Sequence, residues 1–166
     1  MIPATVCDVH FSESKNEYAV VLKEIAGKST VTILISESEA CAIRQELQST
    51  YFTPTAHDVL KAIMDLHHAK IVKVLINQLK DTAFYATITL QAGGTRTSIY
   101  AQPGDAIALA LKMHASIFVG GDAINFENEG HVKELERQLY MAVALENYER
   151  AAELRDELYR IKNQKH

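Results

Sequence analysis

Polar and apolar positions along this chain change period several times, and each change marks a new element. Residues 4–10, 18–25 and 30–35 are rich in Val, Ile and Thr and predict strands, with Ala26-Gly27-Lys28 as the turn between the last two. A helix follows, because Ser36 precedes Glu39 at capping-box spacing and Ala40, Ile43, Arg44 and Leu47 recur at helical intervals. Thr53-Pro54 then breaks the pattern. Thr55 and Asp58 repeat the capping-box spacing ahead of Val59, Ala62, Ile63 and Leu66, which predicts a second helix. Residues 71–76, 84–90 and 96–101 are again strand-like, with Ala92-Gly93-Gly94 as a hairpin turn, and residues 103–112 form a third helix opened by a proline.

The pattern comes round twice. Tyr18-Ala19-Val20-Val21-Leu22, Gly27 and Ile33 align with Tyr85-Ala86-Thr87-Ile88-Thr89, Gly94 and Ile99, at an offset of 67 residues before the turn and 66 after it. Residues 1–119 therefore read as a duplicated hairpin-then-helix unit, closed by a short strand at 116–119. The expected class is α+β, with the strands in one mixed sheet and the helices packed against it. The third helix is apolar nearly all round, from Ala106 to Leu111, and such a helix is normally buried.

Residues 121–130 show no helical or alternating pattern and carry breakers at both ends, so they read as a linker after a domain of residues 1–120. Beyond it, residues 131–166 space Val132, Leu135, Leu139 and Ala142, then Ala151, Leu154, Leu158 and Ile161, as two amphipathic helices broken near Glu146-Asn147-Tyr148. A lone helical hairpin buries little surface, so this one is expected to dock on a partner.

Length and composition narrow the picture only modestly. The 166 residues, 48% hydrophobic and 23% charged, suit one ordinary domain with an appendage and exclude disordered or fibrous classes. Residues 131–166 hold seven basic and seven acidic side chains, so the net charge of −4 belongs to residues 1–130. That balance argues against a protein whose main work is gripping a polyanion, unless a local patch exists. No apolar run is long enough for a transmembrane helix and the start lacks the basic and apolar regions of a signal, so the expectation is a cytoplasmic protein with no membrane partner. Cys7 and Cys41 lack ligand spacing and are expected to be buried, inert thiols.

The chemistry-bearing candidates lie at helix starts. His57-Asp58 falls in the first turn of the second helix and Asp105 in the first turn of the third, where the duplication makes Glu39 its counterpart. If these starts converge, a histidine and two carboxylates could bind a divalent metal or move a proton. The alternative is that the carboxylates only complement helix dipoles and His57 lies on the surface. His67 and His68 diverge on a helix, and His10, His114 and His131 have no carboxylate or cysteine at ligand spacing. Lys61, Lys70, Lys73 and Lys80 are the only clustered basic set, and Lys70 and Lys73 are expected on opposite faces of a strand, as in a solvated surface rather than a nucleic-acid groove.

Three segments carry a resemblance: Thr53-Pro54-Thr55-Ala56-His57-Asp58-Val59, Thr82-Ala83-Phe84-Tyr85-Ala86, and Ala101-Gln102-Pro103-Gly104-Asp105-Ala106-Ile107. In order and over about residues 1–120 they resemble the bifunctional nuclease domain family. The resemblance implies an α/β domain acting on DNA and RNA, with His57, Asp58 and Asp105 as catalytic residues. It also implies Asp58 and Asp105 as ligands of a divalent ion such as Mg²⁺ or Mn²⁺, and Thr53 and Gln102 at substrate-binding positions. The family's first motif usually begins Arg-Pro and its second usually reads Asp-Ala-Arg-Pro-Ser-Asp, so two arginines are replaced here by Thr53 and Gln102, and an aspartate by Tyr100. Arginine clamps phosphate bidentately and neither replacement is charged, so phosphodiester binding is weakened there.

The run Glu146-Asn147-Tyr148-Glu149-Arg150-Ala151-Ala152-Glu153-Leu154-Arg155-Asp156 is similar to the UVR motif, a helical hairpin through which excision-repair nuclease subunits associate. That likeness implies a protein-docking module, with Tyr148, Leu154 and Leu158 as anchors for the partner or as the hairpin's own core, and Arg155 at its rim. Two functions follow. One is a metal-assisted nuclease, and the other is a weakly active or inactive adaptor that recruits a repair or proteolysis partner through residues 131–166. An accessible sheet edge adds the expectation of a homo-oligomer.

Overall fold

The computed structural model describes residues 1–13, 15–27, 29–49, 53–78 and 83–163, excluding the side chains of 78, 122, 124–131, 133, 134 and 161–163. Lys28, Lys80, Thr82 and the side chains of His131 and Ile161, named in the sequence reading, lie outside that description. The described elements are β1 (Ile2–Ser12), β2 (Glu17–Glu24), β3 (Thr30–Ile35), α1 (Glu37–Gln48), α2 (Ala56–Leu66), β4 (Lys70–Gln78), β5 (Phe84–Ala92), β6 (Thr95–Ala101), α3 (Pro103–Lys112), β7 (Ser116–Val119), α4 (Gly121–Ala144) and α5 (Tyr148–Asn163). They fall into two compact units, residues 1–124 and 125–166.

The first unit is α+β, built on a seven-stranded mixed sheet of order β3-β2-β1-β7-β4-β5-β6. The duplication is visible in it. β1-β2-β3 and β4-β5-β6 are antiparallel meanders on either side of β7, which pairs antiparallel with β1 and parallel with β4. Gly93 and Gly94 turn the β5–β6 hairpin with φ of 53° and 82°, a left-handed pair that glycine adopts without steric cost.

The first strand of each meander carries a register shift at an equivalent place, between Val6 and Asp8 in β1 and between Ile71 and Lys73 in β4. This corrects the expectation for the lysines. Lys70 pairs with Gln91 and Lys73 with Thr89, two residues apart on β5, so both lysines share one sheet face. One inserted residue inverts the alternation beyond it, which a period-two reading cannot anticipate. Alternation also brings Asp8 and His10 to one side of β1, where His10 Nδ1 lies 2.7 Å from Asp8 Oδ2, so His10 does have a carboxylate neighbour.

Val20, Leu22, Val31 and Ile33 from the first meander and Val74, Ile76, Ala86 and Ile88 from the second form the core with α3. Ala106 through Ala110 are all buried, as their apolar run predicts. α1 adds Ala40 and Ile43, the latter with no exposed surface, which contributes about 2–3 kcal/mol through apolar burial.

α2 docks the other way round. Its apolar stripe faces outward, with Val59 58%, Ile63 49% and Leu66 75% exposed, while His57 on the opposite side is buried. Both cysteines are exposed rather than buried: Cys7 occupies the β1 register shift, where alternation fails, and Cys41 lies on the outer side of α1. Residues 121–130, expected to be a patternless linker, are helical and belong to α4. Glycine at 121 and 130 weakens a helix by about 1 kcal/mol relative to alanine without breaking it, and proline is absent there.

In the second unit, Leu135 and Ala142 of α4 pack against Ala151, Leu154 and Leu158 of α5, with Val132 and Leu139 alongside. The break falls at Glu146, which has φ of 55°, and Asn147 then caps α5 by accepting from Arg150 N at 3.2 Å. Leu154 and Leu158 are therefore the hairpin's own core, whereas Tyr148 is 67% exposed. Arg155 is exposed beside Asp156, at 3.0 Å. Among the described residues no helix is long and apolar enough to cross a membrane.

Candidate functional site

Two helix starts meet at one corner of the first unit. α2 opens on a capping box in which Thr55 N and Thr55 Oγ1 donate to Asp58 Oδ2 at 2.6 and 2.8 Å. α3 begins one residue after β6, with Pro103 in its first turn and Gln102 as an N-cap that makes no side-chain capping bond. These starts bring His57 Nε2 to 3.3 Å from Asp105 Oδ1. The pair is asymmetric, since the His57 side chain is 11% exposed and that of Asp105 56%. Among the described residues, His57 Nδ1 is buried without a hydrogen-bond partner.

Asp58 follows His57 in sequence but points about 100° away around the helix, as successive helical residues must. Its Oδ1 lies 2.7 Å from Lys112 Nζ, which also lies 2.6 Å from Glu46 Oε1. Lys112 and Glu46 are largely buried, so one cation ties the end of α1, the start of α2 and the end of α3 together. The Lys112 hydrogen bond, followed by those from Thr55, holds the Asp58 carboxyl well below the usual carboxylate range. Burial alone would push the Lys112 amine down, but its bonds to Asp58 and Glu46 outweigh this and raise it.

The starts of α1 and α3 also approach, as the duplication suggested. A Cβ at Gly104 would run into the Glu39 side chain, so only glycine lets these elements come so close. Glu39 is nonetheless engaged in its own capping box, accepting from Ser36 N and Ser36 Oγ, each at 2.7 Å.

The structure therefore brings His57 and Asp105 together, while Asp58 is engaged by Lys112 and Thr55 and Glu39 by Ser36. Among the described residues, no three His, Cys, Asp or Glu side chains converge where a metal ion could sit. Mg²⁺ and Mn²⁺ favour several oxygen ligands, and the Asp58 oxygens are already held by Lys112 and Thr55. The expected ion does not fit this donor set.

Thr53 is exposed two residues before the α2 cap. Gln102 lines a cleft of about 500 Å³ with Phe11, Tyr18, Glu17, Glu37 and Pro103, whose carboxylates disfavour a phosphate. The sequence reading missed Lys112 and Glu46. The signal was present, because a lysine closing an apolar, buried helix needs an anionic partner.

Comparison with known proteins agrees with this architecture. Residues 20–129 match the family model described as bifunctional nuclease domain, and residues 131–164 match the UvrB/uvrC motif. Two curated proteins of Mycobacterium tuberculosis, "Uncharacterized protein MT1877" and "Uncharacterized protein Rv1829", are each 27% identical over 115 residues, covering 69% of this chain and 68% of theirs. The first match runs from β2 beyond α3 and takes in His57, Asp58 and Asp105, while the second takes in the helical hairpin. With well over half of its residues matched in one stretch, and the duplicated sheet and paired helix starts inside it, the chain belongs to the bifunctional nuclease domain family, followed by a UVR motif.

Proposed function

We propose that this protein hydrolyses phosphodiester bonds of DNA or RNA, with Asp105 as general base and His57 as the residue that positions it. The contact between His57 Nε2 and Asp105 Oδ1 carries this reading, because it joins a buried imidazole to an exposed carboxylate. One Asp105 oxygen faces the imidazole and the carboxylate remains open to water. As a water oxygen attacks phosphorus, Asp105 takes its proton, the bond to the leaving oxygen breaks, and that oxygen takes a proton from solvent. Asp105 activates the water without a metal ion.

In this reading Asp58 anchors α2 rather than acting on substrate. Thr53 and Gln102, which precede His57 and Asp105 by four and three residues, offer only neutral hydrogen-bonding groups. The hairpin of residues 131–166 recruits a protein partner, with Tyr148 as exposed anchor and Arg155 at the rim.

The test is cleavage of fluorescent single- and double-stranded DNA and RNA in EDTA, Mg²⁺ or Mn²⁺, with Asp105→Asn purified in parallel. The expected result is cutting that persists in EDTA, falls with His57→Ala and is lost in Asp105→Asn. Equal cutting by wild type and Asp105→Asn overturns the assignment, and cutting only with added metal overturns the metal-free route.

A second reading, an adaptor with little catalysis, is favoured by one observation. The corner lacks a cation at Thr53 and Gln102 to clamp a phosphate. In that case the cleavage assay is silent, and removing residues 131–166 abolishes partner capture.

A further inference from the structure

The β4 register shift produces a surface that no strand pattern foretells. On the sheet face turned away from the core, the pairings align side chains in rows across three strands: Lys70–Gln91–Arg96, then Lys73–Thr89–Ser98, then Leu75–Thr87–Tyr100. Asn77 and Tyr85 begin the next row. No row contains an acidic residue, although the chain carries −4 overall. The cations gather at one end, and Tyr85 and Tyr100 stand at the other with ring centroids 5.9 Å apart. All of β6 up to Tyr100 is exposed, Tyr100 to 80%.

We infer that the outer face of β4-β5-β6 binds single-stranded nucleic acid. Lys70, Lys73 and Arg96 neutralise backbone phosphates, and the tyrosines stack unpaired bases. Rows along a strand repeat every ~7 Å, close to the spacing of nucleotides in an extended strand, so the face accommodates about three of them. A flat sheet enters neither groove of a duplex, whose bases stay hidden from the tyrosines. Tyr100 lies near the end of β6, the strand that leads into α3, while α3 itself packs on the core side of the sheet. The choice of nucleic acid rests in part on the proposed cleavage, but the binding itself does not require it.

The experiment is fluorescence anisotropy of labelled twelve-nucleotide oligo(dT) and oligo(U), against a twelve-base-pair duplex, in EDTA and in an Asp105→Asn background so that cleavage does not intrude. The expected result is preference for both single strands over the duplex, with log K falling against log salt at a slope of about −2, as three cations on a single strand predict. Replacing Lys70, Lys73 and Arg96 by glutamine should flatten that slope. Tyr85→Ala with Tyr100→Ala should weaken binding on the order of tenfold or more, while Tyr85→Phe with Tyr100→Phe retains it. Equal affinity for the duplex, or unchanged binding by the paired alanine variant, overturns the inference. Binding as expected without cleavage by wild type leaves this face standing and removes only the nuclease assignment, whereas cleavage without binding to this face does the reverse.

Discussion

Asp58 Oδ1 lies 2.7 Å from Lys112 Nζ, joining the first turn of α2 to the last turn of α3. That contact leaves Asp105 as the more exposed of the two carboxylates at the corner. It also accounts for the inverted docking of α2, because the side that carries His57 and Asp58 is drawn inward by Asp105 and Lys112 and the apolar stripe is left outside. A buried lysine with one partner removed is costly, so the pair is maintained as a unit.

The two aspartates should therefore fail in different ways. Asp105→Asn removes an exposed carboxylate and should change stability by no more than about 0.5 kcal/mol while abolishing cleavage. Asp58→Asn loses both the capping interaction and the lysine, and should lower the unfolding free energy by about 2 kcal/mol. Urea denaturation beside the cleavage assay separates them, and equal destabilisation by both variants would contradict the division.

Lys112→Met leaves Glu46 and Asp58 without their cation and should cost about 3–5 kcal/mol, more than any exposed lysine such as Lys61. The measurement is again the urea midpoint, with Lys61→Met as the comparison. A neutral Lys112→Met would mean that the buried pair contributes nothing over an apolar filler.

The pH dependence follows from the same contact. Asp58 has a folded value below its unfolded one of about 3.9, so its contribution is present above about pH 5 and is lost progressively as pH falls through that range. Lys112 is raised, so its contribution is complete below about pH 10 and is lost only as pH rises through its folded value. Urea midpoints measured from pH 3 to pH 11 should show a plateau between those limits, narrowing on neither side until carboxylates or lysines titrate. In Asp58→Asn the acid limb should be shallower, and an unchanged limb would assign acid sensitivity to other groups.

Because α2 leaves Ile63 only half-buried, Ile63→Ser should cost about 1 kcal/mol, whereas Ile43→Ala on α1 should cost about 2–5 kcal/mol. A large loss at Ile63 would show that the apolar stripe of α2 is covered in solution. The same contrast holds in the hairpin, where Leu154→Ala should loosen the helices and Tyr148→Ala should spare them while weakening partner capture.

Much of the architecture is legible in the chain because its signals are local. Strand composition, the Gly93-Gly94 turn, the capping boxes at Ser36 and Thr55, and the all-apolar α3 each depend on residues a few positions apart, and the 66–67-residue repeat orders them into two equivalent halves. The hairpin's apolar spacing likewise marks Leu154 and Leu158 as residues of a helical pair. Segment 121–130 lacks a helical period and is helical all the same, because its breakers are glycines, whose modest cost the flanking helical residues overcome.

The residues at the corner were legible as a list but not as an arrangement. Sequence alone determined that His57, Asp58 and Asp105 stand at helix starts. Only the tertiary structure decided that His57 meets Asp105 while Asp58 turns to Lys112, that α2 shows its apolar side to solvent, and that Lys70 and Lys73 share a face with Arg96. The physical reason is the same throughout. Spacing along the chain sets which residues share one element's face, whereas the direction that face takes is set by partners dozens of residues away and by a single inserted residue in β4.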